Sequence, residues 1–205
     1  MTIEVESDSI RHGERVPEAH AFGMPDGEGK ATGEGGNRSP HLRWSGAPEG
    51  TQSFVVIVHD PDVPADAADV NQEGKTLAED AERTDFAHWL LVDISPDLTE
   101  LPEGAGGEGT VAGGKPVGET EYGVTGRNSY TEFLGDGTYG GYDGPFPPWN
   151  DERMHNYHYT VYALDVPSLE LQGDFGLADV REAIEGHVLD EGKLVAQYTL
   201  YADRL

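Results

Sequence analysis

Five side chains and one stiff loop carry the types needed to hold a small polar group. Asp60 ends a run of alternating apolar residues, sharing parity with Phe54, Val56 and Val58, and opens the segment Asp60-Pro61-Asp62. An Asx turn before the proline is the plain reading of that residue. His88 sits between Phe86 and Leu90 on one face of a strongly apolar stretch, where a satisfied core histidine is the plain reading. Tyr142 precedes Asp143-Gly144-Pro145-Phe146-Pro147-Pro148, a turn-rich segment stiff enough to fix its backbone groups before a ligand arrives. Seven residues after Pro148, His155 and Tyr157 share parity at the head of another apolar run.

These parts suit a small anion or zwitterion. An imidazolium donates from both nitrogens, a tyrosine hydroxyl donates once, and amides beside glycine add more donors. A buried carboxylate such as Asp60 can hold and charge a histidine, or take the ammonium of a zwitterionic headgroup. Asp60, His88 and His155 also fit an acid–base group or a two-histidine, one-carboxylate metal site. No serine sits in a nucleophile-elbow sequence, and no close-spaced ligand pair such as HExxH occurs. A third alternative is a structural or assembly protein with a vestigial pocket. No cofactor and no catalytic residue is assigned.

The elements that must position these groups are mostly strands. The 205 residues include 28 Gly and 13 Pro, which favours many turns and argues against a helical bundle. Residues 53–59, 86–94, 157–164 and 194–201 are rich in β-branched and aromatic types and read as strands. One helix is expected over 177–188, where Leu177, Val180, Ile184 and Val188 form an apolar stripe, with Gly192 just beyond. His187 then falls at that helix's end, where its charge would meet the dipole. Residues 17–38, 64–85 and 101–126 read as long loops, the second with a short helical piece at 76–83. No internal repeat is visible, and a single domain over 1–205 is expected.

Charge narrows the partners. Asp and Glu number 39 against 13 Lys and Arg, a formal net charge of −26. That field opposes nucleic acid and anionic membrane surfaces. Nine Tyr, six Phe and three Trp argue against a disordered acidic chain. There is no cysteine, which removes thiolate chemistry and disulfides. The first eleven residues are polar with no secretory pattern, and no apolar run is long enough to span a bilayer. A cytoplasmic protein is expected. Self-repulsion on this scale is screened to about 3 Å at 1 M salt, so a halophilic source is expected, with stability rising toward molar KCl; the competing reading is a mesophilic acidic protein with a cation-binding surface, whose stability would not rise.

The chain resembles the phosphatidylethanolamine-binding protein family, also called the Raf kinase inhibitor-like family, in its prokaryotic YbhB/YbcL-type branch. The matching pieces are Ser39-Pro40-His41-Leu42-Arg43-Trp44 with Pro48 and Gly50-Thr51; Asp60-Pro61-Asp62-Val63-Pro64; His88-Trp89; Gly126-Arg127-Asn128; Tyr139-Gly140-Gly141-Tyr142-Asp143-Gly144-Pro145 with Pro147-Pro148; His155, Tyr157 and Tyr162-Ala163-Leu164; and Ile184-Glu185-Gly186-His187-Val188-Leu189 with Leu194 and Tyr198. They span roughly residues 36 to 201.

The resemblance implies a mainly β fold, a large central antiparallel sheet packed against a smaller one with a few peripheral helices. It implies a pocket for phosphate, acetate, cacodylate or phosphoethanolamine-like groups, built here from Asp60, His88, Tyr142, Gly144, Pro145, His155 and Tyr157. A protein target such as a protease or kinase, a cis bond at Val63–Pro64 and a homodimer are further implications, the last opposed by the net charge. Arg127 and Asn128 would brace the loop below the pocket, and Trp149 would form its edge. Three departures stand out. The stretch after Pro64 is long and belongs beside the pocket mouth, Asn156 stands where many relatives have arginine, and Phe146 stands where many prokaryotic members have cysteine.

Overall fold

The computed structural model describes residues 2–28, 30–32 and 34–204. Its strands in chain order are β1 (Glu4–Glu6), β2 (Met24–Pro25), β3 (Ala31–Thr32), β4 (Leu42–Ser45), β5 (Ser53–Pro64), β6 (Arg83–Ile94), β7 (Glu100–Leu101), β8 (Gly118–Glu119), β9 (Val124–Thr125), β10 (His155–Leu164) and β11 (Val188–Tyr198). Two α-helices, α1 (Tyr130–Leu134) and α2 (Leu177–Ile184), lie outside the sheets. The large sheet has six strands in the order β11-β10-β5-β6-β9-β8, all antiparallel. A smaller sheet has the order β1-β4-β7, and β2 and β3 form a ribbon. This is the mainly β architecture expected from the turn-rich composition and the family resemblance.

Both faces of the large sheet are covered, which is why its central strands read as continuous apolar runs. Phe54, Val56 and Val58 of β5 join Trp89, Leu91, Tyr159 and Val161 in one core, closed by Leu42, Trp44 and Leu101 of the smaller sheet. The Trp44 and Phe54 rings meet edge to face at 5.4 Å. Val55 and Ile57 point the other way, into a second core with Leu90, Val92, Val180 and Ile184. Burying side chains such as Val180 and Ile184 stabilises by roughly 1.5–3 kcal/mol each, and this stripe fixes α2 on the sheet.

Four sequence expectations shift. Helix α2 stops at Ile184, because Gly186 turns the chain at φ +81°, and Val188 opens β11 instead of ending a helix. Gly192 lies inside β11 opposite Val161. His187 therefore follows the helix, exposed, with its Nδ1 2.9 Å from the Asp165 carboxylate. Residues 76–83 form turns and the start of β6, because their backbone groups bond elsewhere: the Leu77 amide donates to the Asn150 carbonyl (2.9 Å), and Arg83 donates to the carbonyls of Ala78 and Ala81. The Val63–Pro64 bond is trans. Strand β5 stays extended through Pro64, pairing Val63 with Thr84 and Pro64 with Arg83, the backbone shape favoured before proline.

Candidate functional site

The site forms where β5, β6 and β10 lie side by side. Regular alternation would put His88 on the same face as Leu90. A bulge prevents this: Val58 pairs with Trp89 while His59 pairs with Ala87, leaving His88 as the extra residue of β6. Such bulges re-aim side chains. Leu90 stays in the core beneath α2, whereas the His88 ring lies 5.1 Å from Phe86, 5.8 Å from Tyr130 and 5.2 Å from Tyr157.

These groups line a cavity of about 140 Å³, below the roughly 300–1,000 Å³ of pockets for drug-sized ligands. Asp60, His88 and Tyr157 form its polar end. Its walls are mostly apolar: Phe86, Tyr130, Phe133, Phe146, Pro147 and Pro148, with Val63 and Pro64 from β5 and Ala67, Val70 and Asn71 from the long stretch after it. That stretch therefore sits beside the pocket. Asn150 pins it, its carboxamide accepting from the Asn71 amide (2.9 Å) and donating to the carbonyls of Asp69 (2.8 Å) and Lys75 (3.2 Å).

The polar end rests on a chain of buried charges. Asp60 Oδ1 accepts from the Asp62 amide at 2.8 Å, so the Asx turn read from the sequence is present as well. Asp60 Oδ2 lies 2.7 Å from His155 Nδ1. His155 Nε2 lies 3.1 Å from Asp151 Oδ2, and Arg83 grips Asp151 with both terminal nitrogens at 2.5 and 3.1 Å. Burial opposes charge on His155, but Asp60 and Asp151 outweigh it and its pKa is pushed up to about 9. Burial likewise raises the Asp151 carboxyl, yet bonds from His155 and Arg83 prevail and hold it below the usual range. Asn156 donates twice to Asp62, whose other oxygen takes Arg153 at 2.7 Å.

His88 is held differently. Its Nδ1 is 2.7 Å from the Asp143 carbonyl. A carbonyl only accepts, so Nδ1 carries the proton and the neutral ring offers a lone pair on Nε2. Burial lowers its pKa, with Asp60 and Asp143 pulling partly back. Asp143 is anchored by Lys115 (2.7 Å), Asn37 (2.7 Å) and Asn128 (2.9 Å). Asn128 thus braces the loop, while Arg127 pairs with Glu132 at 3.1 Å.

Two polar atoms of the lining lack any partner: His88 Nε2 and the Tyr157 hydroxyl are both buried without a hydrogen bond. Burial pushes the Tyr157 hydroxyl well above its usual pKa, reinforced by the Asp60 charge, so it remains a neutral donor.

Of the seven residues the sequence singled out, three meet at the cavity. His155 lies behind Asp60, fully buried and outside the lining. Tyr142 points into the main core, its hydroxyl donating to the His20 carbonyl at 2.7 Å. Gly144 and Pro145 lie behind the wall. The Gly144 carbonyl accepts from the Tyr130 hydroxyl (2.8 Å), and Pro145 accepts the Phe22 and Gly23 amides at 3.0 Å. A Cβ at Gly144 would fall 2.0 Å from the His20 carbonyl oxygen, so glycine is required there. Trp149 packs against the main core and is not part of the lining, though its amide donates to the Asn71 carboxamide at 3.0 Å. Tyr130 and Phe133 join the lining with no local sign of it in the sequence, and Lys115 is buried although its loop gives no sign of that.

Asp60, His88 and His155 do not make a metal triad. Both His155 nitrogens face carboxylates, and among the described residues no three His, Cys, Asp or Glu side chains are placed to hold a metal ion. A wider groove of about 400 Å³ lies across Phe86 and Phe133. Its charged groups serve each other, Arg127 with Glu132 and Asp179 with the Gly176 amide at 2.7 Å. Among the described residues no helix is long and apolar enough to cross a membrane.

A family model described as phosphatidylethanolamine-binding protein matches residues 6–199. The UPF0098 protein YbcL of Escherichia coli is 33% identical over 193 residues, covering 94% of this chain and 82% of the relative. The UPF0098 protein YbhB of the same organism is 30% identical over 197 residues, covering 94% and 98%. The crystal structure of E. coli YbcL, described as a new member of the mammalian PEBP family, superimposes with a TM-score of 0.70 at 29% identity, covering 97% of this chain and 99% of that one. A putative phosphatidylethanolamine-binding protein homologue from Chlamydia trachomatis shares the fold, with a TM-score of 0.66 at 24% identity and coverage of 96% and 97%. Together with the sheet order and the matched motifs, these similarities place the chain in the phosphatidylethanolamine-binding protein family.

Proposed function

We propose that the chain is a small-ligand-binding protein whose pocket takes an anionic or zwitterionic headgroup of the phosphoethanolamine kind. One observation carries this reading. His88 Nε2 and the Tyr157 hydroxyl are buried without partners in the wall of one small cavity. Leaving such groups unsatisfied costs about 1–3 kcal/mol each, and a bound headgroup would remove that cost. Family membership supports a binding role, and the stiff Pro147-Pro148 wall supports a pocket formed before the ligand arrives. Phosphoethanolamine titrated in 1 M KCl, with imidazole signals followed by NMR, tests it. Saturable shifts of His88, not shared by exposed His187, are expected. Unmoved His88 signals at tens of millimolar ligand would end this reading.

A further inference from the structure

A second pair of histidines meets on the opposite face of the large sheet from the Asp60 cavity. His59 of β5 and His158 of β10 stand directly opposite each other in the ladder. They share the face of Val55, Ile57 and Tyr162, which packs beneath α2, and lie at the polar margin of that core. Their rings are 5.1 Å apart, edge to face. Two imidazoles sharing a tetrahedral metal ion take about this spacing. With metal–nitrogen bonds of about 2.0–2.1 Å, each ring centre is about 3.2 Å from the ion and the two centres are about 5.2 Å apart.

His59 has the surroundings of a ligand. Its Nδ1 is buried without a partner. Its Nε2 lies 3.8 Å from Asp85 Oδ1, and Arg181 of α2 donates to the other Asp85 oxygen at 2.7 Å. Strand β5 runs between β6, which carries Asp85, and β10, which carries His158. The two nitrogens of an imidazole point to nearly opposite sides, so Nε2 toward Asp85 leaves Nδ1 toward His158. A carboxylate behind the far nitrogen is the common support of a metal-bound histidine and fixes its tautomer. Both imidazoles are neutral at pH 7, as ligands must be. Burial pushes His59 down to about 4 against the pull of Asp85, and burial with the Lys193 charge lowers His158. His158 is half-buried, so the pair stays open to solvent.

We propose that His59 and His158 form a two-histidine site for a divalent transition-metal ion, bridging β5 and β10, with Asp85 supporting His59 and water completing the coordination. Imidazole donors suit Zn²⁺, Ni²⁺ and Cu²⁺, whereas Mg²⁺ and Ca²⁺ want oxygen ligands. The net charge of −26 favours approach of any such cation, and the facing rings select among them.

Zn²⁺ is titrated into wild type, His59→Ala and His158→Ala in 1 M KCl at pH 7.5, with a large excess of Mg²⁺ to occupy surface carboxylates and the ¹⁵N signals of the histidine rings as readout. In wild type the His59 and His158 signals should move together and saturate at one Zn²⁺ per chain. Removing either histidine should weaken binding at the other at least tenfold. Both signals unmoved by Zn²⁺ in wild type would overturn the site. So would His59 binding Zn²⁺ equally well in His158→Ala, which would make the two rings independent. Should His59→Ala fail to fold, wild type against His158→Ala still decides.

Discussion

Asp60 and Asp143 are both about 1% exposed and both flank His88, yet their surroundings differ in one respect. Asp143 is saturated, with three side-chain donors on its carboxylate and its carbonyl taken by His88. Asp60 is anchored from behind by His155 and the Asp62 amide, while its cavity side adjoins two atoms with no partner. Buried carboxylates are therefore not equivalent signs of function. The saturated one builds the loop, and the one beside unsatisfied neighbours marks where a ligand completes the hydrogen bonding.

The largest effect expected from this contrast is on stability. Asp143→Asn leaves Lys115 buried without its counter-charge, and breaking such a pair costs about 3–5 kcal/mol. Asp60→Asn costs less, because His155 keeps Asp151 and can release its proton. Urea unfolding of the two variants measures the difference. Equal losses would erase the distinction between the two aspartates.

A comparable effect is expected with pH. An unfolded imidazole titrates near 6.5, and folded His155 at about 9. Its stabilisation is fully present below about pH 6.5, declines between there and pH 9, and is lost above. The size is about 3 kcal/mol at most. His59, whose pKa burial lowers to about 4, acts in the opposite direction: its contribution is present above about pH 6.5 and lost as pH falls toward 4. Stability should therefore peak near pH 6.5, and His155→Gln should flatten the alkaline decline. A wild-type profile level from pH 6.5 to 9 would contradict the charged His155 bridge.

The strands were legible because their apolar runs carry both faces of a covered sheet, and the motifs around Asp60, His88 and Tyr157 pointed to the cavity. Other features depend on pairing that no single segment displays. The parity that placed His88 beside Leu90 fails because the bulge against Val58 and His59 is set by two strands together. His155 and Tyr157 share parity, yet Asp60 and Asp151 close around the first and leave the second at the cavity. Tyr142 reads as a pocket donor from its place before the stiff segment 143–148, but the His20 carbonyl, 122 residues away in sequence, takes its hydroxyl. Lys115 lies in a glycine-rich loop with no local sign of burial, and only the fold brings it to Asp143.

The smallest expected effect is the most direct test, a pair of single-atom deletions. Tyr142→Phe removes a hydroxyl bonded to the His20 carbonyl at 2.7 Å and should cost about 1 kcal/mol of stability, with phosphoethanolamine binding retained. Tyr157→Phe removes a buried hydroxyl that has no partner, so stability should hold or rise while phosphoethanolamine binding weakens about tenfold, the loss of one hydrogen bond to a charged group. Thermal unfolding and the NMR titration, run on both variants, read the two quantities. If Tyr157→Phe instead loses as much stability as Tyr142→Phe and binds phosphoethanolamine as wild type does, the unsatisfied end of the cavity is not a ligand site.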